Sequence, residues 1–313
     1  MTRVLVTGAS GFLGTLMVPV LAQAGMTVTA LSRQPLHWPV RPGVTTCSGL
    51  ALSSPETDWL DALRGHEVLV HAAGRAHVMR EHEADPLAAF RQVNVDGTLK
   101  VARLAHAAGI RRFIFLSSIK VNGEGTQPGQ RFSSADAPAP VDAYGQSKLE
   151  AEQGLRALAA ETGLEVVIIR PTLIYGPGAK GNLALLRKLL RWPLPLPLGG
   201  IDNRRSLVAA ANLADFIALA ARHPAAAGET FLLADVSWTT PELLRAMAGA
   251  MGRRTWLVPV PVAWLRRLAG LLGREAWIER LCGNLEVDCR QARERLDWQP
   301  PVDPLAALQA MMR

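Results

Sequence analysis

Tyr144 and Lys148 stand four residues apart in the stretch YGQSK, and Tyr144 is one of only two tyrosines in the chain. On a helix, residues i and i+4 share a face, so this spacing sets a phenol beside an amine. A free phenol titrates at about pH 10 and exchanges protons poorly at neutral pH. A positive charge held nearby favours the phenolate and lowers that pKa. Such a tyrosine gives a proton to a carbonyl oxygen as hydride reaches its carbon, or takes one from an alcohol as hydride leaves. A third group must hold the oxygen. FLSSIK closes a strand-like run with Ser117 and Ser118, at the carboxyl end where sheets of alternating strands and helices bind ligands. Any single piece also fits a surface Tyr/Lys pair beside a polar strand terminus; the three together make that reading weak.

The elements that must position these groups follow one another along the chain. RVLVTGASGFLGTLMVPVLAQAGMTVTALSR reads as a short β run, a glycine turn, a helix-length apolar segment ending at Gly25 and a second β run. That is a βαβ unit about thirty residues long. HEVLVHAAG is strand-like, DPLAAFRQVNVDGTLKVARLAHAAG helical, RRFIFLSS a strand, AYGQSKLEAEQGLRALAAETG helical and EVVIIRP a strand. Strand and helix in strict turn predict an α/β fold, a doubly wound parallel sheet of the Rossmann type over residues 1–170. After Pro171 the rhythm breaks. WPLPLPLGG reads as loop or edge, SLVAAANLADFIALAAR as a return to helix, and PELLRAMAGAMG and AWLRRLAGLLGREAWIERL as helices. A smaller mixed α/β substrate-binding lobe is expected over 171–204 and 226–313, with residues 205–225 packing back on the sheet. The basic segment Trp264 to Arg267 reads as a lobe helix with a solvated arginine face, in preference to one that seeks a membrane surface.

The glycine turn carries its own chemistry. Gly8, Gly11 and Gly14 stand as G-x-x-G-x-x-G between a strand and a helix. Gly8 permits the tight turn, Gly11 lets backbone approach a pyrophosphate, and Gly14 lets helix pack on strand, while the helix start offers unpaired N–H groups to phosphate. A tight βα turn alone would use the same glycines; the strand before and helix after make this a dinucleotide site. A carboxylate gripping an adenosine ribose is expected at the end of the second strand. VTALSRQ has Ser32 and Arg33 there instead. An Asp would repel a 2′-phosphate, whereas a hydroxyl beside a guanidinium accepts one. NADP(H) is therefore the preferred cofactor, with NAD(H) the alternative and a mere surface arginine the bland reading. The positive ring of an oxidised nicotinamide would join Lys148 in favouring the Tyr144 phenolate.

Composition narrows the rest. The 313 residues are 49% hydrophobic, an ordinary globular balance with ample core. No apolar run reaches the roughly 18 residues of a membrane span. Met1 leads straight into RVLVTGAS, so no signal peptide is read and a cytoplasmic location is expected. Cys47, Cys282 and Cys289 have no metal-ligand spacing and read as reduced thiols, with neither a metal site nor a disulfide framework. The net charge of +7 comes from scattered arginines without an aromatic-and-basic stripe, so nucleic acid is not an expected partner.

With these residues in view, the chain resembles the extended short-chain dehydrogenase/reductases, the branch of nucleotide-sugar epimerases, dehydratases and 4-ketoreductases. TGASGFLG, VLVHAAG, Asn94 in VNVDGT, FLSSIKVNGE, YGQSK, RPTLIYGPG, NRRSLVAAANLAD and LDWQPP carry the similarity over nearly the whole chain. The resemblance implies Tyr144 as acid/base, Lys148 as its partner and a ribose ligand, and Ser118 as holder of the substrate oxygen. Ser118 is preferred over Ser117 because it lies five positions before Gly123. The resemblance further implies cofactor contacts from Ser10, Phe12 and Leu13 in the glycine turn, from Ala72, Ala73, Gly74 and Ser117, from Asn94 bracing the strand, and from Pro171 and Thr172 near the nicotinamide ribose and amide. Asn182 and Arg205 match positions that contact the phosphates of a nucleotide sugar, and Arg75, His77 and Lys120 are candidates for the sugar pocket.

Two departures matter. VNG places Asn122 where many epimerases have tyrosine, and Ser32-Arg33 replaces the frequent ribose aspartate. Epimerases oxidise and re-reduce one sugar on a retained cofactor, commonly NAD, whereas a reductase draws fresh hydride, usually from NADPH. SSIKVNGE and RAHVM are similar to a subgroup tied to bacterial surface-polysaccharide (O-antigen) sugars. The leading expectation is thus NADPH-dependent reduction of a UDP-4-keto-6-deoxy-N-acetylhexosamine to UDP-N-acetylquinovosamine or its C4 epimer. A UDP-hexose or UDP-N-acetylhexosamine 4-epimerase with bound NAD is the alternative, a steroid or flavonoid ketone reductase is more distant, and a non-catalytic NADP sensor is disfavoured by the intact YGQSK. Members commonly dimerise through two helices, which leaves a homodimer as an expectation of the resemblance alone.

Overall fold

A computed structural model of the chain describes residues 1–36, 41–76, 85–271, 273, 278 and 281–312. Its frame is a seven-stranded sheet in the order β3-β2-β1-β4-β5-β6-β9. The strands are β1 Arg3–Thr7, β2 Thr27–Ser32, β3 Val44–Ser48, β4 Val68–His71, β5 Arg112–Leu116, β6 Glu165–Pro171 and β9 Thr230–Leu233, and every pairing is parallel. All residues of β4 and β5 are buried, as expected when helices cover both faces of a parallel sheet.

Alternation along each strand divides the core in two. Val4 and Val6 of β1 face one side, where Met17 and Leu21 of α1 (Phe12–Gln23) meet Leu213, Phe216 and Ile217 of α7 (Ala210–Ala220). Leu5 faces the other side, among Trp59 of α2 (Glu56–Leu63), Val101 of α4 (Gly97–Ala107) and Leu155 of α5 (Ala143–Thr162). Each such fully buried aliphatic side chain contributes about 1.5–3 kcal/mol relative to exposure.

A second sheet of three strands, ordered β10-β8-β7, builds the lobe. β7 (Leu173–Tyr175) runs parallel to β8 (Arg205–Ala209), and β10 (Val236–Trp238) antiparallel to it. Around it pack α6 (Asn182–Leu189), α8 (Thr240–Ala250), α9 (Val262–Leu271) and the closing helix Pro304–Met312, through a core that includes Tyr175, Leu186, Leu244, Leu265 and Leu308.

Three segments differ from the sequence reading. Residues 86–107 form α3 (Pro86–Arg91) and α4 joined by a wide π-helical turn, Gln92–Asp96, a feature that often marks functional sites. The start of SLVAAANLADF is not helix but β8, because Leu207, Val208 and Ala209 lie between β7 and the small lobe's other elements. Residues 226–313 do not all belong to the lobe: β9 extends the large sheet beside β6, and Ala292, Leu296 and Trp298 enter its core. Trp298 packs edge-on to Phe216, ring centroids 5.2 Å apart, and its indole donates to Asp215 at 2.9 Å.

Candidate active site

α5 begins at Asp142, whose carboxylate caps the helix by accepting from the Gly145 amide at 2.7 Å. Gly145 lets that first turn press on the loop after β5: a Cβ there would lie 2.8 Å from the Lys120 carbonyl oxygen. Ser118 sits in this loop, capping the short turn Ile119–Val121 and accepting from the Lys120 amide at 3.2 Å. Close packing of the two segments sets the Ser118 hydroxyl beside the Tyr144 phenol, where it favours the phenolate. The two groups the chemistry requires at one oxygen are thus adjacent.

The electrostatics differ from the sequence expectation. The Tyr144 phenol is pushed up to about 12: burial drives it, the nearby Ser118 hydroxyl opposes, and the Asp142 charge adds to the rise. Lys148 does not reverse this. Its Nζ donates to the Leu116 carbonyl at 2.8 Å and lies 4.5 Å over the Phe115 ring and 6.0 Å from the Tyr144 ring centroid. Burial brings the Lys148 ammonium down to about 8, and the neighbouring Glu152 charge restrains that fall. Tyr144 is therefore a protonated phenol in this arrangement, ready to donate.

Beneath lies a buried network that the sequence reading missed. Glu152 stands four residues after Lys148 in YGQSKLEAE and is fully buried. It accepts from Ser117 Oγ at 2.5 Å and from Arg170, whose guanidinium also donates to Asn122 Oδ1 at 2.9 Å. The i, i+4 repeat of Tyr144, Lys148 and Glu152 was the available signal. The Ser117 hydroxyl, expected at the cofactor, points into this network, and Asn122 ties the strand-end loop to β6.

Whether a dinucleotide fits is answered by the glycine turn. Gly8 has φ +70, and a Cβ on it would lie 2.7 Å from the Ala73 nitrogen; one on Gly14 would lie 2.4 Å from the Gly8 oxygen. Gly11 starts α1 without a side-chain cap, leaving its first amides open to an anion. Ser10 and Gly11 are exposed, with Phe12 and Leu13 half-buried behind them. The segment Ala72–Gly74 joins this cradle to Lys148, since a Cβ on Gly74 would meet Asn94 Oδ1 at 3.1 Å and Lys148 Nζ at 3.5 Å. Buried Asn94 holds the loop after β4, accepting from the Arg75 amide at 2.8 Å and donating to the Arg75 carbonyl and to Ser147 Oγ. These residues fit the adenosine-diphosphate part of a nicotinamide cofactor.

The remaining expected residues divide between near and apart. The Ser32 hydroxyl is buried and donates to the Gln34 carbonyl, so it shapes the turn, while Arg33 stands exposed with no ion pair among the described residues. Arg75 Cζ lies 5.5 Å over the Phe90 ring, which meets Tyr144 edge-on at 6.0 Å. Lys120 is held by Asp142 and Glu124. Pro171 ends β6, and the Thr172 hydroxyl donates to the Leu233 carbonyl at 3.0 Å. Asn182 is exposed at the start of α6, and Arg205 opens β8, donating to the Gly283 carbonyl at 3.1 Å. His77 lies outside the described residues.

Residues 4–234 match the model of a family described as the NAD dependent epimerase/dehydratase family. A UDP-glucose 4-epimerase of Vibrio cholerae is 44% identical over 304 residues, covering 95% of this chain and 90% of that one. Two solved structures share the fold with a TM-score of 0.77. One is a UDP-glucose 4-epimerase with UDP-glucose from Thermotoga maritima, 21% identical, with 99% and 97% of the two chains covered. The other is a dTDP-glucose 4,6-dehydratase from Streptomyces venezuelae with NAD bound, 22% identical, with 99% and 96% covered.

Proposed function

The chain belongs to the NAD dependent epimerase/dehydratase family and is an NAD(P)-dependent enzyme, and from that premise we propose that it inverts C4 of a UDP-activated hexose. The observation that carries the reading is the Ser118 hydroxyl set beside the Tyr144 phenol just past the carboxyl end of β5, with the Gly8–Gly14 cradle one loop away. The likeness to a UDP-glucose 4-epimerase along 95% of the chain supports the choice of reaction.

A nicotinamide dinucleotide in the cradle supplies the acceptor and then the donor of the C4 hydrogen and, while oxidised, a positive ring charge that favours the phenolate. Tyr144 takes the proton of the C4 hydroxyl as the carbon is oxidised to a ketone, and returns it to the ketone oxygen after the sugar presents its other face. Ser118 donates to that oxygen in both halves. Lys148, charged below about pH 8, is held by the Leu116 carbonyl 6.0 Å from the Tyr144 ring centroid, where its charge favours the phenolate without by itself overcoming the burial. Asn182 and Arg205 are proposed contacts of the diphosphate, where a guanidinium suits a doubly bonded anion.

A second reading rests on Arg33. Its exposed guanidinium at the end of β2 suits a 2′-phosphate, and supports reduction of a UDP-4-keto-6-deoxy-N-acetylhexosamine by NADPH, with Tyr144 as the proton donor its raised pKa already makes it. The purified protein separates the two. Retained NAD and turnover of UDP-glucose to UDP-galactose without added reductant support the first reading. Bare protein that consumes NADPH only with a 4-keto sugar overturns it in favour of the second, and Arg33→Ala then weakens NADPH far more than NADH.

A further inference from the structure

α9 buries Leu265 and Ala269 in the lobe core, yet Trp264, Leu268 and Leu271 are 67%, 57% and 86% exposed. These three stand at i, i+4 and i+7, one continuous apolar stripe on the outer side of the helix. Next to the same core, Trp192, Leu194 and Trp256 are 69%, 61% and 72% exposed and line a groove of about 310 Å³ together with Leu190 and Arg254. Leu190 and Leu196 share the core of Leu265 and Ala269, and the Leu196 amide donates to the Trp256 carbonyl at 2.8 Å, so groove and helix are parts of one packed body. Single exposed apolar side chains are ordinary, but three in a stripe on one helix and three more around a groove of the same lobe exceed that.

The charge of these segments identifies what they meet. Residues 181–201 and 249–273 contain seven arginines and lysines and no aspartate or glutamate. Among them, Arg267 lies on the helix beside the apolar stripe, and Arg254 in the groove wall. Two copies of this surface brought face to face would oppose like charges. An anionic surface is complementary to them. Tryptophan, leucine and arginine on one side of a short helix are the composition that lies in the headgroup region of a bilayer. Among the described residues no helix is long and apolar enough to cross a membrane. The helix keeps the exposed arginines expected of it, Arg266 and Arg267, and carries an exposed apolar stripe beside Arg267.

We propose that the lobe docks on an anionic phospholipid bilayer through α9 and the Trp192–Trp256 groove. The test is co-sedimentation of the full chain with vesicles of phosphatidylcholine alone and of phosphatidylcholine with phosphatidylglycerol, at low and raised salt. Binding to the anionic vesicles only, reduced by salt, is expected. The double variant Trp264→Ser/Leu268→Ser, exposed and remote from the glycine cradle, should bind them about tenfold more weakly, with unchanged thermal unfolding and turnover. Arg254→Glu/Arg267→Glu should lose the anionic preference. Absence of binding to either vesicle overturns the proposal, as does undiminished binding by both variants. A concentration-dependent dimer of the parent that the Trp264/Leu268 variant abolishes, without vesicle binding, assigns the surface to a second copy and likewise overturns it.

Discussion

Arg170 and Glu152 form a buried, doubly bonded ion pair, with Nε 2.9 Å from Oε1 and Nη2 2.6 Å from Oε2. The pair joins β6 to α5 directly beneath Ser117 and Lys148. Removing one member leaves the other charge buried without its partner, which is far costlier than never having had the pair.

Glu152→Ala should therefore lower unfolding stability by about 3–5 kcal/mol, read from denaturant midpoints. Glu152→Gln keeps the shape and removes the charge that restrains the fall of the Lys148 pKa, so the alkaline limb of its kcat/KM profile should move to lower pH. An unshifted limb in Glu152→Gln would mean that the pair is structural and does not act on the lysine.

Lys148 itself sets a pH window. Its ammonium has a folded pKa of about 8, below the ordinary lysine value, so the charge is complete at lower pH and is lost as pH rises through that value. Activity that needs the charge should decline above about pH 8, and Lys148→Arg, which keeps its charge throughout, should abolish that decline whatever it does to the plateau. Measurement of kcat/KM from pH 6 to 10 reads this directly.

Tyr144→Phe removes the group that carries the proton and leaves the ring in place. Turnover should drop by about 10²–10⁴ with nucleotide binding retained, as loss of a general acid/base does. Ser118→Ala should lose less, and the two losses should not add, because both hydroxyls act at the same substrate oxygen. A fully active Tyr144→Phe would return the chain to a nucleotide-binding role.

Gly14→Ala would set a methyl 2.4 Å from the Gly8 oxygen and 2.7 Å from the Ala9 Cα, both backbone atoms. Neither can withdraw without moving the turn. Calorimetry should show nucleotide affinity reduced at least tenfold, whereas Gly49→Ala, where a Cβ meets nothing within 4 Å, should leave affinity unchanged.

The parts of this site that were legible in the sequence are those fixed by local spacing. Gly8, Gly11 and Gly14 within a βαβ run, and Tyr144 with Lys148 on one helical face, announce themselves because the chemistry depends on neighbours along the chain. The rest depends on what tertiary packing brings. Lys148 turns to the Leu116 carbonyl because β5 passes beneath α5, and no spacing reveals that. Ser117 faces Glu152 while Ser118 faces Tyr144, an outcome of strand alternation that a serine pair alone does not betray. The strand Leu207–Ala209 reads as helix because its small apolar residues suit either state, and only its neighbours β7 and β10 decide it.

The central claim, oxidation and re-reduction at C4 within one active site, is tested most directly with UDP-glucose carrying deuterium at C4. Incubated with the protein and NAD and followed by NMR, the sugar should equilibrate with UDP-galactose that keeps its deuterium at C4, without net formation of NADH. Inversion with loss of the label to free cofactor or solvent, or no inversion at all from a protein that binds NAD, would contradict the account.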